Sequence, residues 1–363
     1  MDEQLSPLHE RHEAAGADFT EFGGWTMPVT FDGIQDEHLA VRNSAGVFDV
    51  SHMSEVDVRG PDALSLMNRL TTNGVAALDP GDAQYTCILD EDGIILDDAV
   101  VYRYPEQDGY LFVPNAGHGA WMTDRWAEHA AAWDLNAIVT DRTSEVGLVA
   151  VQGPDTVSLV DDVAEAKIDD IDRFTCRRTT VAGASCLVAR TGYTGEDGVE
   201  IVVNSDEAMA VWDAFDGVRP CGLGARDTLR IEAGLLLSGR DFDPDTEPRT
   251  PIEAGLEFVV DFATPFVGRE ALEAQRESGV DQRLVGIRPS SRAIPRNGYA
   301  IHDDGDQIGH VTSGTKSPTF NVPLVLGFVD VPYAEPGTEV TIAVRDRVVD
   351  ATVVSQRFLD SMD

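Results

Sequence analysis

The sequence predicts an α+β protein that consists of two similar α/β units and a small C-terminal β-barrel. An apolar run ends at Gly60-Pro61-Asp62 and again at Gly153-Pro154-Asp155, and both times a helical pattern follows, which predicts the paired units. After about residue 280, short strand-like runs alternate with Gly, Pro, Asn and Asp turns, which predicts the barrel. A chain of 363 residues can form two or three domains with sizeable cores.

Each element follows from a local pattern. After the two helix starts, apolar residues recur at helical spacing, at Leu66, Met67 and Leu70 and at Val157, Val160 and Val163. Runs rich in Val, Ile and Tyr predict strands at 99–104, 110–113, 147–151, 199–203, 340–344 and 348–354. Helical patterns cover roughly 119–133, 206–215 and 225–237. The acidic, proline-bearing stretch 241–251 predicts a loop before the C-terminal domain.

The charge of the chain restricts its environment and its partners. Asp and Glu number 64 against 27 Lys and Arg, which gives a formal net charge of −37, and only Lys167 and Lys316 are lysines. Such a surface suits a cytoplasm rich in salt, because salt screens the self-repulsion over a few ångströms. The same charge argues against a nucleic-acid partner, since phosphate binding requires a basic patch.

Other classes are excluded by what the sequence does not contain. The first thirty residues have no basic segment followed by an apolar stretch, and no run approaches the roughly 18 apolar residues of a membrane helix. We therefore expect a soluble, cytoplasmic protein with no membrane partner. The four cysteines form no CxxC pair and are expected to be buried and reduced. His9 and His12 have no third ligand nearby, so no metal site is expected.

Two adjacent carboxylates interrupt the apolar run 92–102. Side chains alternate between the two faces of a strand, so Asp97 and Asp98 point in opposite directions and Asp98 shares a face with Val100 and Tyr102. A carboxylate among apolar neighbours is costly unless it is hydrogen-bonded or paired. The spacing leaves two interpretations open: Asp98 faces a ligand, or it caps a turn at the edge of the strand.

Two glycine-rich segments carry further polar residues. In 190–201, Tyr193 lies in a loop near Glu200, a pair that suits a flat heterocycle or belongs to an ordinary hairpin with an exposed tyrosine. In 221–230, Asp227 occupies the place of the third glycine of a dinucleotide loop, which disfavours nucleotide binding. Arg226 begins a predicted helix there and pairs with a ligand carboxylate or with Asp227 or Glu232.

No arrangement of a nucleophile with its base is present in the sequence. Ser51 and His52 are adjacent without a GxSxG elbow, and Cys221 has no His partner by sequence. From spacing alone, the chain is a small-molecule enzyme or binder with carboxylates in apolar pockets.

Seven collinear phrases closely resemble the aminomethyltransferase (T protein) family of the glycine cleavage system. They are FGGW at 22–25, RNSAGVFDVSHM at 42–53, DD at 97–98, NA at 115–116, RTGYTGEDGVE at 190–200, GLGARDTLR at 222–230 and IGHVTSGTKSPT at 308–319. The resemblance implies a three-domain cloverleaf with a folate channel at its centre. The implied domains are 1–54 with 141–245, then 55–140, and 246–363 with the barrel from about 280.

The resemblance also implies a reaction and its participants. A lipoylated H protein brings an aminomethyl group, and tetrahydrofolate accepts its carbon as a co-substrate, giving 5,10-methylene-tetrahydrofolate, ammonia and dihydrolipoyl H protein. Asp98 resembles the catalytic carboxylate of the family. The folate-binding positions that the motifs match are Met53, Tyr85, Tyr102, Asn115, Tyr193, Glu200 and Arg226.

The chain departs from the family pattern at two places. Relatives usually carry Tyr-x-x-Tyr-Gly where this sequence has Leu235-Leu236-Leu237-Ser238-Gly239, and Gln356-Arg357-Phe358 replaces a Pro-Phe-aromatic ending. Two related functions are alternatives: a folate-dependent demethylase of a small methylated substrate, and a non-catalytic folate-binding protein of iron–sulfur maintenance. The second is disfavoured because its Cys-bearing motif is absent from the sequence.

Overall fold

The computed structural model describes residues 3–106, 108–345 and 347–361. The helices are α1 (His9–Ala14), α2 (Ile34–Asn43), α3 (Ala63–Leu70), α4 (Gly119–Ala132), α5 (Thr156–Asp161), α6 (Ala208–Asp213), α7 (Leu223–Ala233), α8 (Arg269–Ser278) and α9 (Phe358–Ser361). Short 3₁₀ helices cover Val75–Ala77, Thr143–Glu145, Glu257–Val259 and Val331–Tyr333.

The strands fall into three sheets and a closed barrel. They are β1 (Gln4–Leu5), β2 (Asp18–Phe22), β3 (Trp25–Thr30), β4 (Gly46–Asp49), β5 (Val56–Arg59), β6 (Ala83–Leu89), β7 (Ile95–Arg103), β8 (Tyr110–Val113), β9 (Ile138–Asp141), β10 (Val146–Gln152), β11 (Cys176–Val181), β12 (Ala184–Ala189), β13 (Gly198–Asn204), β14 (Arg219–Cys221), β15 (Gln282–Pro289), β16 (Ala300–Asp303), β17 (Asp306–Lys316), β18 (Pro323–Asp330), β19 (Glu339–Val344) and β20 (Arg347–Val354).

The predicted pair of α/β units corresponds to two packed sheets. A five-stranded antiparallel sheet has the order β6-β7-β8-β5-β9 and packs against α3 and α4 through Leu66, Met67 and Trp126. A six-stranded sheet has the order β11-β12-β13-β10-β4-β14, with α5 and α6 on one face and α2 and α7 on the other. The first strand of the larger sheet, β4, precedes the whole five-stranded sheet in the chain.

The predicted barrel is confirmed. Six strands close in the order β15-β18-β17-β16-β19-β20, with β20 paired to β15, and Val and Ile side chains fill the interior. A separate apolar cluster joins the barrel to the rest of the molecule, because Phe328 of β18 packs with Ile231 of α7 and Cys87 of β6. The α+β fold class with a C-terminal barrel is therefore as predicted.

Local details differ from the sequence prediction at the two helix starts. The helices α3 and α5 begin at Ala63 and Thr156, each two residues after the proline and one after an Asp. The proline therefore shapes the turn that leads into the helix. Helix α5 ends at Asp161, so the predicted stripe residue Val163 lies beyond it. All four cysteines are free and buried, as predicted. In the described parts of the chain, no helix is both long and apolar enough to cross a membrane.

Candidate functional site

A cavity of about 1130 Å³ lies where the two large sheets, α7 and the barrel meet. Its lining includes the side chains for which the sequence predicted a role: Met53, Tyr85, Asp98, Tyr102, Asn115, Tyr193, Glu200 and Arg226. These residues come from six separate stretches of the chain, and the tertiary fold brings all of them to one space.

Asp98 faces the cavity from the middle of β7. Its Oδ2 accepts a hydrogen bond of 2.6 Å from the Tyr85 hydroxyl, and its Oδ1 accepts one of 2.6 Å from Asn115 Nδ2. Tyr85 projects from β6, the neighbouring strand, whereas Asn115 lies just after β8, the neighbour on the other side. Both strands that flank β7 thus fix the carboxylate in place.

The surroundings of Asp98 shift its protonation. Burial, and then the charge of Asp97, raise the pKa of Asp98 to about 6, although the hydrogen bonds from Tyr85 and Asn115 oppose the change. Near neutral pH the carboxyl is therefore mostly ionised, yet close enough to its pKa to exchange a proton. Strand alternation placed Asp98 on the cavity side, and Asp97 is fully buried away from it.

A second polar cluster lies on the six-stranded sheet. The Thr191 hydroxyl donates to Glu200 Oε2 at 2.6 Å, and the Tyr102 hydroxyl donates to the same oxygen at 3.4 Å. Tyr102 comes from β7 and Glu200 from β13, so this cluster joins the two large sheets across the cavity. No local sequence pattern predicts this contact, because Tyr102 and Glu200 are nearly one hundred positions apart in the chain.

Arg226 reaches the cavity from the first turn of α7. Its guanidinium lies over the Tyr193 ring, 4.6 Å from the ring centroid, and the Tyr193 hydroxyl donates to the Leu236 carbonyl. Burial lowers the pKa of Arg226, against the opposing charges of Glu200 and Tyr193. Among the described residues, Arg226 forms no salt bridge.

The carboxylates that sequence spacing offered to Arg226 have other partners. Asp227 pairs with Arg230 at 2.9 Å, and Glu232 pairs with Arg42 at 3.0 Å and with His38 at 3.2 Å. The interpretation of Arg226 as a local structural ion pair is therefore wrong. Its guanidinium is held by an aromatic face and keeps its donors for the cavity.

Glycine is required where the loop 190–198 approaches the sheet. A Cβ on Gly192 would lie 2.0 Å from Gln152 Oε1, so no larger residue fits without moving that side chain. The buried Gln152 donates to the Thr191 carbonyl at 3.0 Å and accepts from Thr194 at 2.8 Å. This packing holds Thr191 and Tyr193 on the cavity side of the loop.

Several lining residues were not predicted as site residues. His52 is buried, and burial followed by the charge of Arg226 lowers its pKa to about 3, so its ring is neutral. Thr191, Leu236 and Leu237 also line the cavity, as does Arg357 near the C-terminus. In the sequence, Leu236, Leu237 and Arg357 stood out only as departures from the family pattern. Across the residues the structure describes, no group of three or more His, Cys, Asp and Glu is arranged to hold a metal ion.

The sequence matches two domain families along most of its length. Residues 8–264 match the GCVT N-terminal domain, and residues 282–360 match the glycine cleavage T-protein C-terminal barrel domain. The chain belongs to the glycine cleavage T-protein family. The resemblance that the seven sequence phrases indicated is thereby confirmed, and with it the assignment to the aminomethyltransferases, a class of transferases.

Named relatives of this T-protein family cover the whole chain. A probable aminomethyltransferase of Natronomonas pharaonis is 54% identical over 99% of this chain and 100% of its own length. One of Halobacterium salinarum is 56% identical over 98% of this chain and 99% of its own length. The aminomethyltransferase of Bacillus subtilis is 42% identical over 97% of this chain and 98% of its own length.

A solved structure extends the comparison to the fold. The crystal structure of the glycine cleavage system aminomethyltransferase T of Bartonella henselae superposes with a TM-score of 0.90. The two sequences are 34% identical, and the alignment covers 98% of each chain. Neither the demethylase nor the iron–sulfur maintenance protein is favoured by these relatives.

The two departures from the T-protein pattern both reach the cavity. Leu236 and Leu237 line it where the family usually has a tyrosine-bearing segment, and Gln356 and Arg357 line it at the changed C-terminal ending. Asp98 and its two hydrogen-bond donors lie on other elements and are untouched by either change. This part of the cavity wall therefore departs from the family phrases, whereas Asp98 matches them.

Proposed function

We propose that the chain transfers an aminomethyl group from the lipoyl arm of the H protein to tetrahydrofolate. In this reaction the S-aminomethyldihydrolipoyl group and tetrahydrofolate give 5,10-methylene-tetrahydrofolate, ammonia and the dihydrolipoyl H protein. One sulfur–carbon and one carbon–nitrogen bond break, and two bonds form from the carbon to folate nitrogens. The two hydrogens that the folate nitrogens lose end on sulfur and ammonia, so the reaction balances without an oxidant.

The observation that carries the proposal is the Asp98 carboxylate, fixed by Tyr85 and Asn115 at the wall of a large cavity. A folate nitrogen gains positive charge as it attacks the aminomethyl carbon and ammonia departs. An ionised carboxylate beside that nitrogen stabilises the charge without reorganising, because its two donors already hold it. A pKa of about 6 lets the same group take up a proton near neutral pH.

The remaining polar groups fit a folate. A carboxylate has about four acceptor positions, and two of those on Asp98 are filled by Tyr85 and Asn115, so two are available to the N–H groups of a pterin. In the described part of the chain, Thr191 and Tyr102 both donate to Oε2 of Glu200, which leaves Oε1 for a ligand. Arg226 offers a guanidinium to the carboxylates of the glutamyl tail.

Met53 completes the folate contacts that we propose, and the size of the cavity suits two reactants. Small-molecule cavities run to about 1,000 Å³, and this one reaches about 1130 Å³, room for tetrahydrofolate and the end of a lipoyl arm together. Holding the two reactants together lowers the barrier further. Such a transfer requires no covalent intermediate on the enzyme and no metal.

The domain division belongs to the same proposal. We assign residues 1–54 and 141–245 to one domain, 55–140 to a second and 246–363 to a third, with the folate channel between them. Strand β4 pairs with β10, although all five strands of the five-stranded sheet lie between them in the sequence. This pairing supports a discontinuous first domain. We also place the enzyme in glycine breakdown in the cytoplasm of a salt-adapted organism, on its net charge of −37 and its relatives in halophilic archaea.

The test is a reconstituted transfer assay at high salt. The purified chain is mixed with aminomethylated H protein and tetrahydrofolate, and 5,10-methylene-tetrahydrofolate is measured with and without the chain. We expect product only when all three are present. A methylsulfonium compound in place of the H protein, with 5-methyl-tetrahydrofolate as the measured product, tests the demethylase alternative. Formation of that product, with no methylene-folate from aminomethylated H protein, would overturn the proposal.

A further inference from the structure

A row of hydrogen bonds runs from the surface of the protein to Asp98. His118 Nδ1 lies 2.8 Å from Asp97 Oδ2, and Asn115 Nδ2 donates to Asp97 Oδ1 at 2.6 Å. The same amide nitrogen donates to Asp98 Oδ1 at 2.6 Å, and the Tyr85 hydroxyl closes the row on Asp98 Oδ2. A single NH₂ group thus holds both carboxylates.

The first two members of this row lie outside the cavity. Among the described residues, its lining includes Asp98 and Asn115 but neither Asp97 nor His118. The Asp97 side chain is fully buried, whereas the His118 side chain is 30% exposed. His118 is the residue before α4, and its ring also contacts Trp121. A buried carboxylate without a counter-charge is strongly unfavourable, so Asp97 depends on His118.

We propose that His118 and Asp97 form a positioning pair that acts through Asn115 to set the place and the charge of Asp98. This inference rests on the proposed function of Asp98 and adds two residues to it. Neither residue touches the substrate. Asp97 holds Asn115 at two points. Its Oδ1 accepts from the Asn115 side-chain amide, and its Oδ2 accepts from the Asn115 backbone N–H at 3.1 Å.

Few charged groups face this row. Burial, and then the nearby aspartates, raise the pKa of Tyr85 and that of Cys87 well above their usual values, so both are neutral at physiological pH. Burial also raises the pKa of Tyr193. From the other side Asp243 acts on His118 at longer range. The charge of Asp97 raises the pKa of Asp98, and the charges of Asp97 and Asp98 both raise the pKa of His118.

The sign of the effect follows from the charges. Burial disfavours the charged ring of His118, but the hydrogen bond and the charge of Asp97 outweigh it and raise the pKa of His118. With His118 charged, the negative charge of Asp97 is balanced and Asp98 ionises more easily. Without that positive charge, Asp97 repels a second negative charge and Asp98 holds its proton to higher pH.

The experiment measures kcat/KM against pH from 5 to 9 for the wild type and four variants. His118→Gln keeps a hydrogen-bond donor but loses the charge, and we expect the acid limb to move up by about one pKa unit. At pH 6 that shift lowers the rate about fivefold, while the rate at pH 8.5 stays within about twofold. Asp97→Asn removes the negative charge, and we expect its acid limb to move down by about one unit, with a lower plateau.

The other two variants are controls. His118→Arg keeps a positive charge at every pH, and we expect it to restore the acid limb to the wild-type position or below. His129→Gln changes a histidine within α4 that packs on Trp133, and it should leave the profile unchanged. Melting temperatures at pH 8 identify any variant that does not fold.

The outcomes separate this inference from the proposed function. Opposite shifts in His118→Gln and Asp97→Asn support the positioning pair. An acid limb that stays at the wild-type pH in both variants, with rates reduced equally at all pH values, would leave these residues with a structural role only and overturn the inference. A wild-type rate in Asp98→Asn would instead contradict the proposed role of Asp98 itself.

Discussion

At the scale of single residues, the structure shows how one carboxyl among many acquires its own chemistry. The chain has 64 acidic residues, and many of those that the structure describes are exposed at the surface. Asp98 differs because it is enclosed beside Asp97 and accepts hydrogen bonds from Tyr85 and Asn115. The sequence singled it out as a carboxylate on an apolar strand face, but its partners Tyr85 and Asn115 became visible only in the fold.

We expect Asp98→Asn to fold and to lose about 10²-fold in transfer rate, because the charge opposite the developing cation is removed. The wild-type rate should also fall as the pH drops through about 6, where Asp98 takes up a proton. Initial rates of methylene-folate formation against pH measure both effects. A wild-type profile without an acid limb near pH 6, or an unchanged rate in the variant, would contradict this prediction.

Although Asp98→Asn is expected to lower the transfer rate, we expect it to preserve or raise the stability of the fold at pH 8. The pKa of Asp98 is raised from 3.8 to about 6 on folding, so the folded state binds this proton more tightly. The contribution of Asp98 to the free energy of unfolding is therefore greatest below pH 4. It is lost as the pH rises through about 6, and the total loss is up to about 3 kcal/mol. Asp98→Asn removes that cost, so its melting temperature at pH 8 should equal or exceed that of the wild type.

Arg226→Ala is expected to weaken tetrahydrofolate binding by roughly 5- to 150-fold, or about 1–3 kcal/mol, with little change in melting temperature. The reason is that its guanidinium contacts the Tyr193 ring at the cavity and, among the residues that the structure describes, forms no salt bridge with a carboxylate. Titration calorimetry with tetrahydrofolate measures the loss. Arg226→Lys keeps the positive charge but lacks the planar guanidinium, so its affinity for tetrahydrofolate should lie between those of the wild type and Arg226→Ala. A lower melting point with unchanged binding would give Arg226 a structural role.

At the scale of elements, α7 (Leu223–Ala233) connects the cavity to the barrel. Arg226 faces the cavity, and one turn later the fully buried Arg230 donates to Asp241 at 2.5 Å and to Ser313 of β17 at 2.8 Å. Near its end, Glu232 accepts from Ser317 in the loop after β17 and pairs with Arg42 of α2. The sequence predicted this helix and Arg226 at its start, but it offered no sign that Arg230 binds the barrel.

Arg230→Met should lower the free energy of unfolding by about 3–5 kcal/mol, because Asp241 is then buried without its counter-charge. The double variant with Asp241→Leu should recover part of that loss. Chemical denaturation at constant high salt measures both, and the exposed Arg288→Met of β15 is the matched control, expected within about 0.5 kcal/mol of wild type. If Arg230→Met unfolds like the control, the ion pair does not hold the barrel to α7.

At the scale of the whole molecule, the cavity exists only because separate lobes meet. Lining residues come from both large sheets, from α7 and from barrel strand β15. The surface that surrounds this assembly carries a net charge of −37. Self-repulsion acts on the molecule as a unit, and it opposes the contacts that bring the lobes together.

We expect the protein to lose structure when salt is lowered to tens of millimolar. The Debye length then grows from about 3 Å at 1 M to roughly 10–30 Å, and the carboxylates repel one another across the molecule. Circular dichroism during dialysis measures the loss. Sodium and potassium chloride at equal ionic strength should restore the signal alike, since screening depends on ionic strength. A native spectrum in low salt would argue against salt adaptation.

Local patterns in the sequence determined the elements of this protein, its charge and its family. Runs rich in Val, Ile and Tyr predicted β7 and β10, helical spacing predicted α3 and α4, and the collinear motifs predicted the T-protein family, because such signals depend only on neighbouring residues. Only the tertiary structure decided which side chains meet. Tyr102 and Glu200, or Arg230 and Ser313, lie far apart in the chain, and packing between sheets and barrel brings them together. The link from His118 through Asp97 to Asp98 likewise depends on the segment after β8, which brings Asn115 and His118 to Asp97 on β7, a contact that no local pattern encodes.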